Sequence, residues 1–251
     1  MSDSPDPLAA LALLDGVFET IEAARASVDS LRRESRVPAN RARAASVSAE
    51  SLRRSAWASV ALEDRAGALD AFVAPLPDPL SRNVLGLYAE IGGLADAFAT
   101  APGQALARMH VRAVAGIDDP APPGRPVDDA AARRLEALVG LLAAPTRSPA
   151  LVAAAVAHAE ILDGRIFGAT SGVVARLVSR CVLVARGVDP SALAVPEEGH
   201  LRMGRAEYAA AQAAYATGTA EGVRRWLVHC AEALARGADI ARTEVLRAER
   251  A

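Results

Sequence analysis

The sequence predicts an all-α fold, and three observations support this prediction. Hydrophobic residues make up 52% of the chain but aromatic residues only 4%, a composition typical of helices that pack closely through small side chains. Apolar residues recur at helical spacing through most of the sequence. No alternating pattern of the kind found in strands extends beyond a few residues. We therefore expect helices joined by loops.

The helices can be assigned in order from the apolar periodicity and from the prolines that separate them. We expect helices at residues 8–33, 46–73, 80–98, a short one after Pro102, then 128–144, 150–162, 172–186, 205–216 and 219–236. For the helix at 46–73, an interruption near residues 63–65 is the alternative. Residues 34–43, 118–126 and 189–200 are expected to be connectors or loops. The helix at 150–162 is apolar on nearly every side, which places it at the centre of the fold.

The pattern of these segments gives a working division of the chain. Residues 1–45 form an N-terminal helix and linker, 46–100 a helical segment, 101–238 the core, and 239–251 a C-terminal tail. No internal repeat is visible.

Charge and cysteine usage narrow the cellular setting and the class of partner. The net charge is -2, which argues against a nucleic-acid partner. All 28 basic residues are arginine, a bias typical of a GC-rich, bacterial genome. Asp3 and Asp6 stand where a signal peptide carries positive charge. No apolar run approaches the length that spans a bilayer, so we expect no membrane partner. Cys181 and Cys230 lie in apolar helical patterns, as small buried residues of a cytoplasmic protein do.

A loop of small residues at 168–172 separates the two most apolar helices. Thr170 or Ser171 is expected to cap the helix that follows. The start of a helix attracts anions, because its free N–H groups and its dipole both point at the ligand. Arg165 precedes the loop and Arg176 lies one turn inside the helix. The pattern indicates a phosphate site, and the alternative is an ordinary helix-loop-helix with surface arginines.

This stretch resembles the Fic (Fido) family, all-helical enzymes that transfer AMP from ATP to a protein hydroxyl. The family pattern is a His upstream of HPFxxGNGRxxR, with the motif loop between two central helices. His158 matches the leading His, Phe167 the motif Phe, Gly172 the second Gly and Arg176 the final Arg. The resemblance covers about residues 104–236, and more loosely extends back to 55. It implies a single Fic-like helical domain with N-terminal helices added.

The sequence departs from the family at the positions that carry the chemistry. Arg165 stands at the catalytic His, Ile166 at the following Pro, and Ala169 at the acidic residue that holds Mg²⁺; Ser171 replaces the Asn and Val173 the first motif Arg. In the family the His takes the proton from the target hydroxyl. Arginine, with a pKa above about 12, cannot do this. We expect a degenerate member with no catalytic residue and no well-anchored metal.

A second match to the family lies upstream. Ser59 and Glu63 fit the inhibitory signature, in which the Glu of an N-terminal helix pairs with the final motif Arg and blocks the terminal phosphate of the nucleotide. We therefore expect Glu63 within salt-bridge distance of Arg176, on a helix packed across the 168–172 loop. Glu160 and Asp163, which are closer in sequence, are expected to face other ways.

The remaining candidates for chemistry are weaker. His158 is expected to be a core histidine with one hydrogen-bond partner, and His110, His200 and His229 are scattered, so we predict no metal site. Ser171 has no partner that would activate it as a nucleophile, and G-x-S-x-G is absent, which argues against a hydrolase. Dinucleotide fingerprints are absent, which excludes a Rossmann oxidoreductase.

Three hypotheses for the function follow. The first is a degenerate Fic-fold protein that acts by binding a nucleotide or phosphate, with the ligand held by Arg165, Thr170, Ser171, Gly172 and Arg176. The second is a structural or protein-partner-binding helical protein whose pocket Glu63 closes. The third is a transferase with altered chemistry, in which Arg165 and Arg176 clamp a phosphate-bearing substrate.

Overall fold

The computed structural model describes residues 6–36 and 44–246. Within these ranges it contains helices and turns and no strand, which confirms the predicted fold class. The α-helices are α1 (Pro7–Leu11), α2 (Val17–Ser35), α3 (Ala44–Leu62), α4 (Pro79–Ala89), α5 (Ile91–Thr100), α6 (Pro102–Ala113), α7 (Asp129–Ala143), α8 (Ala150–Asp163), α9 (Ser171–Ala185), α10 (Pro196–Met203), α11 (Arg205–Ala216) and α12 (Ala220–Ile240).

Helices α8 and α9 form the centre of the fold, as predicted for residues 150–162. They pack against each other, and α5, α6, α7 and α12 surround them. Residues 151–159 of α8 are all buried, and five of them are alanines, so neighbouring backbones approach closely. Trp226 of α12 is fully buried against this helix and donates its indole N–H to the carbonyl of Ala155 at 2.8 Å.

Helix α3 is fixed in place by contacts to α4, α10 and α9. On its buried side, Arg54 forms two hydrogen bonds with Glu198 of α10, both at 2.8 Å. This paired geometry is the strong form of an arginine–carboxylate contact. This pair joins the middle of α3 to the first turn of α10.

Two of the expected helices are divided by a turn, and a third ends earlier than the apolar pattern predicts. The helix expected at 8–33 is divided into α1 and α2, with Gly16 in a left-handed conformation (φ +70°) between them. The helix expected at 46–73 ends at Leu62, where Asp64 takes a φ of +59°. The helix expected at 80–98 breaks at Glu90, one residue before α5, while Gly92 and Gly93 lie inside α5. Apolar periodicity continues through these turns, so it does not mark them.

The prediction of a loop at 189–200 was wrong in its second half, because α10 begins at Pro196. Proline at the first helical position, followed by Glu197 and Glu198 in the first turn, is a helix-start signal. The last long helix extends beyond the expected 236 to Ile240 and continues into a π-helical turn at Ala241–Val245. The connector expected at 34–43 falls mostly outside the described residues.

One window of the described chain, Gly168–Ala185, is long and apolar enough to cross a membrane, with a mean hydropathy of 1.4. The expectation that no such run exists was therefore wrong. The core helix of a globular protein passes the same test, and 78% of this window is buried inside the fold.

Helix α10 contacts α12 through Gly199, and this contact gives a testable prediction. A β-carbon at residue 199 would collide with the backbone of Ala233, which cannot move without displacing α12. We expect Gly199→Ala to lower the free energy of unfolding by about 1–3 kcal/mol, measured by urea denaturation. Gly140→Ala is the control, because a β-carbon at this exposed helical site meets nothing within 4 Å and should raise stability by up to ~1 kcal/mol. Equal effects at the two sites would contradict the packing described.

Candidate functional site

The 168–172 loop is closed by its own hydroxyl groups. Ser171 Oγ accepts a hydrogen bond from the N–H of Phe167 and donates one to the carbonyl of Gly168, both at 2.9 Å. The Thr170 hydroxyl donates to the carbonyl of Phe167 at 3.2 Å. Neither side chain caps α9, so the predicted N-cap was wrong. The start of α9 therefore has no cap from its own side chains.

A carboxylate from α3 occupies the space beside this helix start. Glu63 follows the last residue of α3, and its Oε1 lies so close to Gly172 that a β-carbon there would collide with it. A helix N-terminus favours a negative charge in this position. Gly172 is therefore required for the close approach of the carboxylate.

The Arg176 guanidinium forms four hydrogen bonds, to Ser59 of α3, to Glu63 just after α3 and to Tyr208 of α11. Its Nη2 lies 2.5 Å from Glu63 Oε1 and 2.9 Å from the carbonyl of Ser59, and its Nε donates to Ser59 Oγ at 2.9 Å. Nη1 donates to the Tyr208 hydroxyl at 3.3 Å. Burial opposes the charged form, but Tyr208 and Glu63 outweigh it and hold the pKa of Arg176 above its ordinary value. The predicted contact between Glu63 and Arg176 is confirmed.

The two acidic residues nearer in sequence do face another way. Glu160 and Asp163 pair with Arg134 of α7, at 2.7 and 2.8 Å. This leaves Glu63 as the carboxylate that contacts the Arg176 guanidinium among the described residues.

A polar cavity of about 300 Å³ opens next to the Arg176 pair. It is lined by Glu63, Leu162, Asp163, Arg165, Gly168, Ala169, Ser171, Gly172 and Gln212. Arg165 is exposed, and no described residue forms a hydrogen bond or ion pair with its side chain. Gln212 comes from α11, and no pattern in the sequence indicates that this helix reaches the loop. Thr170, also predicted as a ligand, is buried beside the cavity and does not line it.

The 118–126 loop is docked onto the other side of the motif loop. Asp119 lies so close to Gly168 that a β-carbon on that glycine would collide with Asp119 Oδ1. The same oxygen accepts a hydrogen bond from the N–H of Ala121 at 2.9 Å. The His110 ring packs on Phe167 with 4.7 Å between centroids, and burial lowers its pKa. Gly168 has a φ of +57°, so a glycine is needed here for both conformation and space.

The expectation that His110, His200 and His229 are scattered was wrong for two of the three, His200 and His229. His158 is buried as predicted, and its Nε2 lies 2.7 Å from the Tyr208 hydroxyl. His200 and His229, however, lie beside it, with 5.5 Å between the ring centroids of His158 and His200. Helices α10 and α12 bring these residues to α8, and periodicity within one helix does not reveal which helices meet.

The cavity combines one exposed arginine, Arg165, with two carboxylates that are paired to other arginines, Glu63 and Asp163. Arg165 and the backbone of the loop offer positive charge, while no histidine is among the lining residues that could act as a general base. The Glu63 carboxylate fills the space beside Gly172 at the start of α9, so a phosphate group placed there would have to displace it.

The Glu63–Arg176 pair predicts a measurable cost for removing the negative charge. Glu63→Gln leaves a guanidinium with 1% side-chain exposure beside a neutral partner, so unfolding free energy should fall by about 1–3 kcal/mol in urea denaturation. Asp64→Asn is the control, because its pair with Arg205 is exposed at 85% and 51% and should change stability by less than ~1 kcal/mol. A loss no larger than that of the control would contradict a buried pair.

Comparison with known proteins identifies the fold. No protein-family model and no curated protein sequence matches the chain. Among solved structures, a Fic family protein from Desulfovibrio desulfuricans G20 matches with a TM-score of 0.68 and 18% identity, over 92% of this chain and 75% of that one. Fic-1 from C. elegans matches with a TM-score of 0.63 and 20% identity, over 89% of this chain and 71% of that one. The chain therefore has an all-α, Fic-like fold.

Proposed function

We propose that this protein is a degenerate Fic-fold protein that binds a nucleotide or another phosphate-bearing ligand at the 168–172 loop and acts through that binding. It does not transfer AMP. The observation that carries the proposal is the contact between Glu63 and Arg176, which lies at the start of α9 and at the edge of the polar cavity.

The Glu63 carboxylate resembles the group that it would exclude. It lies against Gly172 at a helix start and pairs with an arginine, which are the two features that proteins use to bind phosphate. Its side chain is 26% exposed, so the carboxylate borders the cavity and can be displaced without unpacking the core. A ligand phosphate would then take its place on Arg176, with Arg165 as a second cation. Glu63 thus has the inhibitory role that the resemblance implies.

The loss of AMP transfer rests on the residues at the cavity wall. Arg165 lines the cavity at the position of the catalytic His, and Ala169 lines it at the position of the metal carboxylate. The carboxylates that remain are Glu63, held by Arg176, and Asp163, held by Arg134. A proton acceptor and a free carboxylate for Mg²⁺ are both missing among the lining residues.

A second candidate function is a structural or protein-partner-binding role with the pocket permanently closed. The observation that favours it is the four hydrogen bonds around Arg176, whose side chain is 1% exposed. An arginine so enclosed contributes to packing and needs no ligand. Binding measurements separate the two functions.

We expect Glu63→Gly to open the site. Isothermal titration calorimetry with ATP, ADP, GTP and inorganic phosphate should give an affinity for at least one ligand that is about tenfold or more above wild type, equivalent to ~1.4 kcal/mol. Asp64→Gly is the matched control, since Asp64 is the next residue, has a φ of +59° that suits glycine, and pairs outside the cavity with Arg205. It should bind as wild type does. Absence of binding by both wild type and Glu63→Gly would favour the closed, structural alternative.

We expect Arg165→His to leave the protein inactive in AMP transfer. The variant restores the base alone, and Mg²⁺ still lacks a carboxylate at Ala169. Mass spectrometry after incubation with isotopically labelled ATP should show no AMP adduct on the variant or on added lysate proteins. Robust auto-AMPylation would contradict the proposed decay of the site, and an adduct of another mass formed by wild type would instead indicate a transferase with altered chemistry.

A further inference from the structure

Four side chains with metal-binding atoms meet in the interior, away from the 168–172 cavity. We call them the His/Cys cluster: His158 of α8, His200 of α10, and His229 and Cys230 of α12. One ring nitrogen each from His158 and His200 and the sulfur of Cys230 lie within 4.8 Å of one another, and all three residues are buried. Ligands around a tetrahedral Zn²⁺ are about 3.3–3.8 Å apart, so shifts of about 1 Å would complete the geometry.

The hydrogen bonding of this cluster is incomplete. His158 Nε2 bonds to the Tyr208 hydroxyl, and His229 Nε2 lies 3.0 Å from His200 Nδ1. The other nitrogen of His158 and that of His229, both Nδ1, are buried without a hydrogen-bond partner among the described residues. His158 is 1% exposed and His229 3%. Unpaired buried nitrogens are costly and call for an explanation.

The two histidines lie in a buried environment. Burial lowers the pKa of His158 and of His200 well below the ordinary value, with His229 and Arg176 adding to the effect. Metal ions bind the neutral form of histidine. Burial raises the pKa of the Cys230 thiol, so a bound metal must displace its proton. The resulting thiolate offsets one of the two positive charges brought in beside Arg176.

We propose that the His/Cys cluster is a Zn²⁺-binding site in which His158, His200 and Cys230 are ligands, with His229 adjacent to the fourth position. Two imidazoles and a thiolate form a donor set that zinc prefers. On binding, the Cys230 S–H bond breaks, a sulfur–zinc bond forms, and the proton leaves to solvent. This proposal does not depend on the proposed function of the 168–172 loop.

Tyr208 gives the site an outer shell. Its hydroxyl lies 2.7 Å from His158 Nε2 and accepts a hydrogen bond from Arg176 Nη1 at 3.3 Å. Hydrogen bonds to the second nitrogen of a ligating histidine fix its orientation. The metal site would therefore be connected, through one hydroxyl, to the arginine that pairs with Glu63.

Cobalt substitution tests the proposal, because Co²⁺ bound to a thiolate gives a charge-transfer absorption in the near ultraviolet. We expect the full-length wild-type protein, stripped of metal by a chelator, to bind one equivalent of Co²⁺ with this band and to lose it when Zn²⁺ is added. Release of one proton on Zn²⁺ binding is a second readout. Absence of the band and of proton release in wild type would overturn the proposal, whatever the variants do.

The chain offers a matched control for the sulfur ligand. Cys181 and Cys230 are both free and buried, but Cys181 lies on α9 and is not a member of the cluster. Cys230→Ala should abolish the band while Cys181→Ala retains it. His200→Gln removes a ligand and should weaken Co²⁺ binding by more than the roughly 10–100-fold typical of changes to outer-shell partners. Urea denaturation of each variant verifies folding. A band that survives Cys230→Ala, or that both cysteine variants lose while folded, would show that the cluster is only a polar network of the core.

Discussion

The buried guanidinium of Arg176 is the constraint around which this protein is arranged. Its side chain is 1% exposed, and a charge placed so deeply is tolerated only when hydrogen-bonded and paired. The partners are Ser59 of α3, Glu63, which directly follows α3, and Tyr208 of α11. The end of α3 and the start of α11 are thus fixed beside the start of α9, next to the 168–172 loop.

The same arrangement explains why small residues are needed beside the arginine. Glu63 reaches the helix start only because residue 172 is glycine, and Asp119 reaches the loop from its other side only because residue 168 is glycine. A side chain at either position would push away a carboxylate. The loop is therefore enclosed by two acidic residues from distant segments. Recognition of an anion at this loop requires one of those carboxylates to leave, and Glu63, which borders the cavity, is the one whose departure frees Arg176.

The sequence predicted the parts of the fold and site that local patterns encode. Apolar periodicity located the central helices, and the motif residues Phe167, Gly172 and Arg176 led to the Fic-like fold and to the contact with Glu63 across more than 100 residues of chain. Helix ends were predicted less well, because Gly16 and Glu90 interrupt segments whose apolar pattern continues. Side chains contributed by distant segments were missed because a local pattern does not show which segments meet in the fold.

The His/Cys cluster and the docking of Asp119 depend on which helices and loops meet, and no local pattern reports that. His200 lies on α10, a helix that the sequence assigned to a loop, so its approach to His158 and Cys230 could not be foreseen. Gln212 enters the cavity from α11, a helix that was predicted but whose own apolar pattern does not show that it reaches the 168–172 loop. Ser171 illustrates the opposite error: its position suggested an N-cap for α9, but its hydroxyl closes the loop onto itself.

A double-mutant cycle tests whether the interaction between Glu63 and Arg176 organises the site. Urea unfolding of wild type, Glu63→Gln, Arg176→Met and the double variant isolates the energy of interaction between the two side chains. Because the charged atoms lie 2.5 Å apart and Arg176 is buried, we expect a coupling energy above about 1 kcal/mol. Additive effects of the two substitutions, with a coupling energy near zero, would contradict the claim that this pair organises the site.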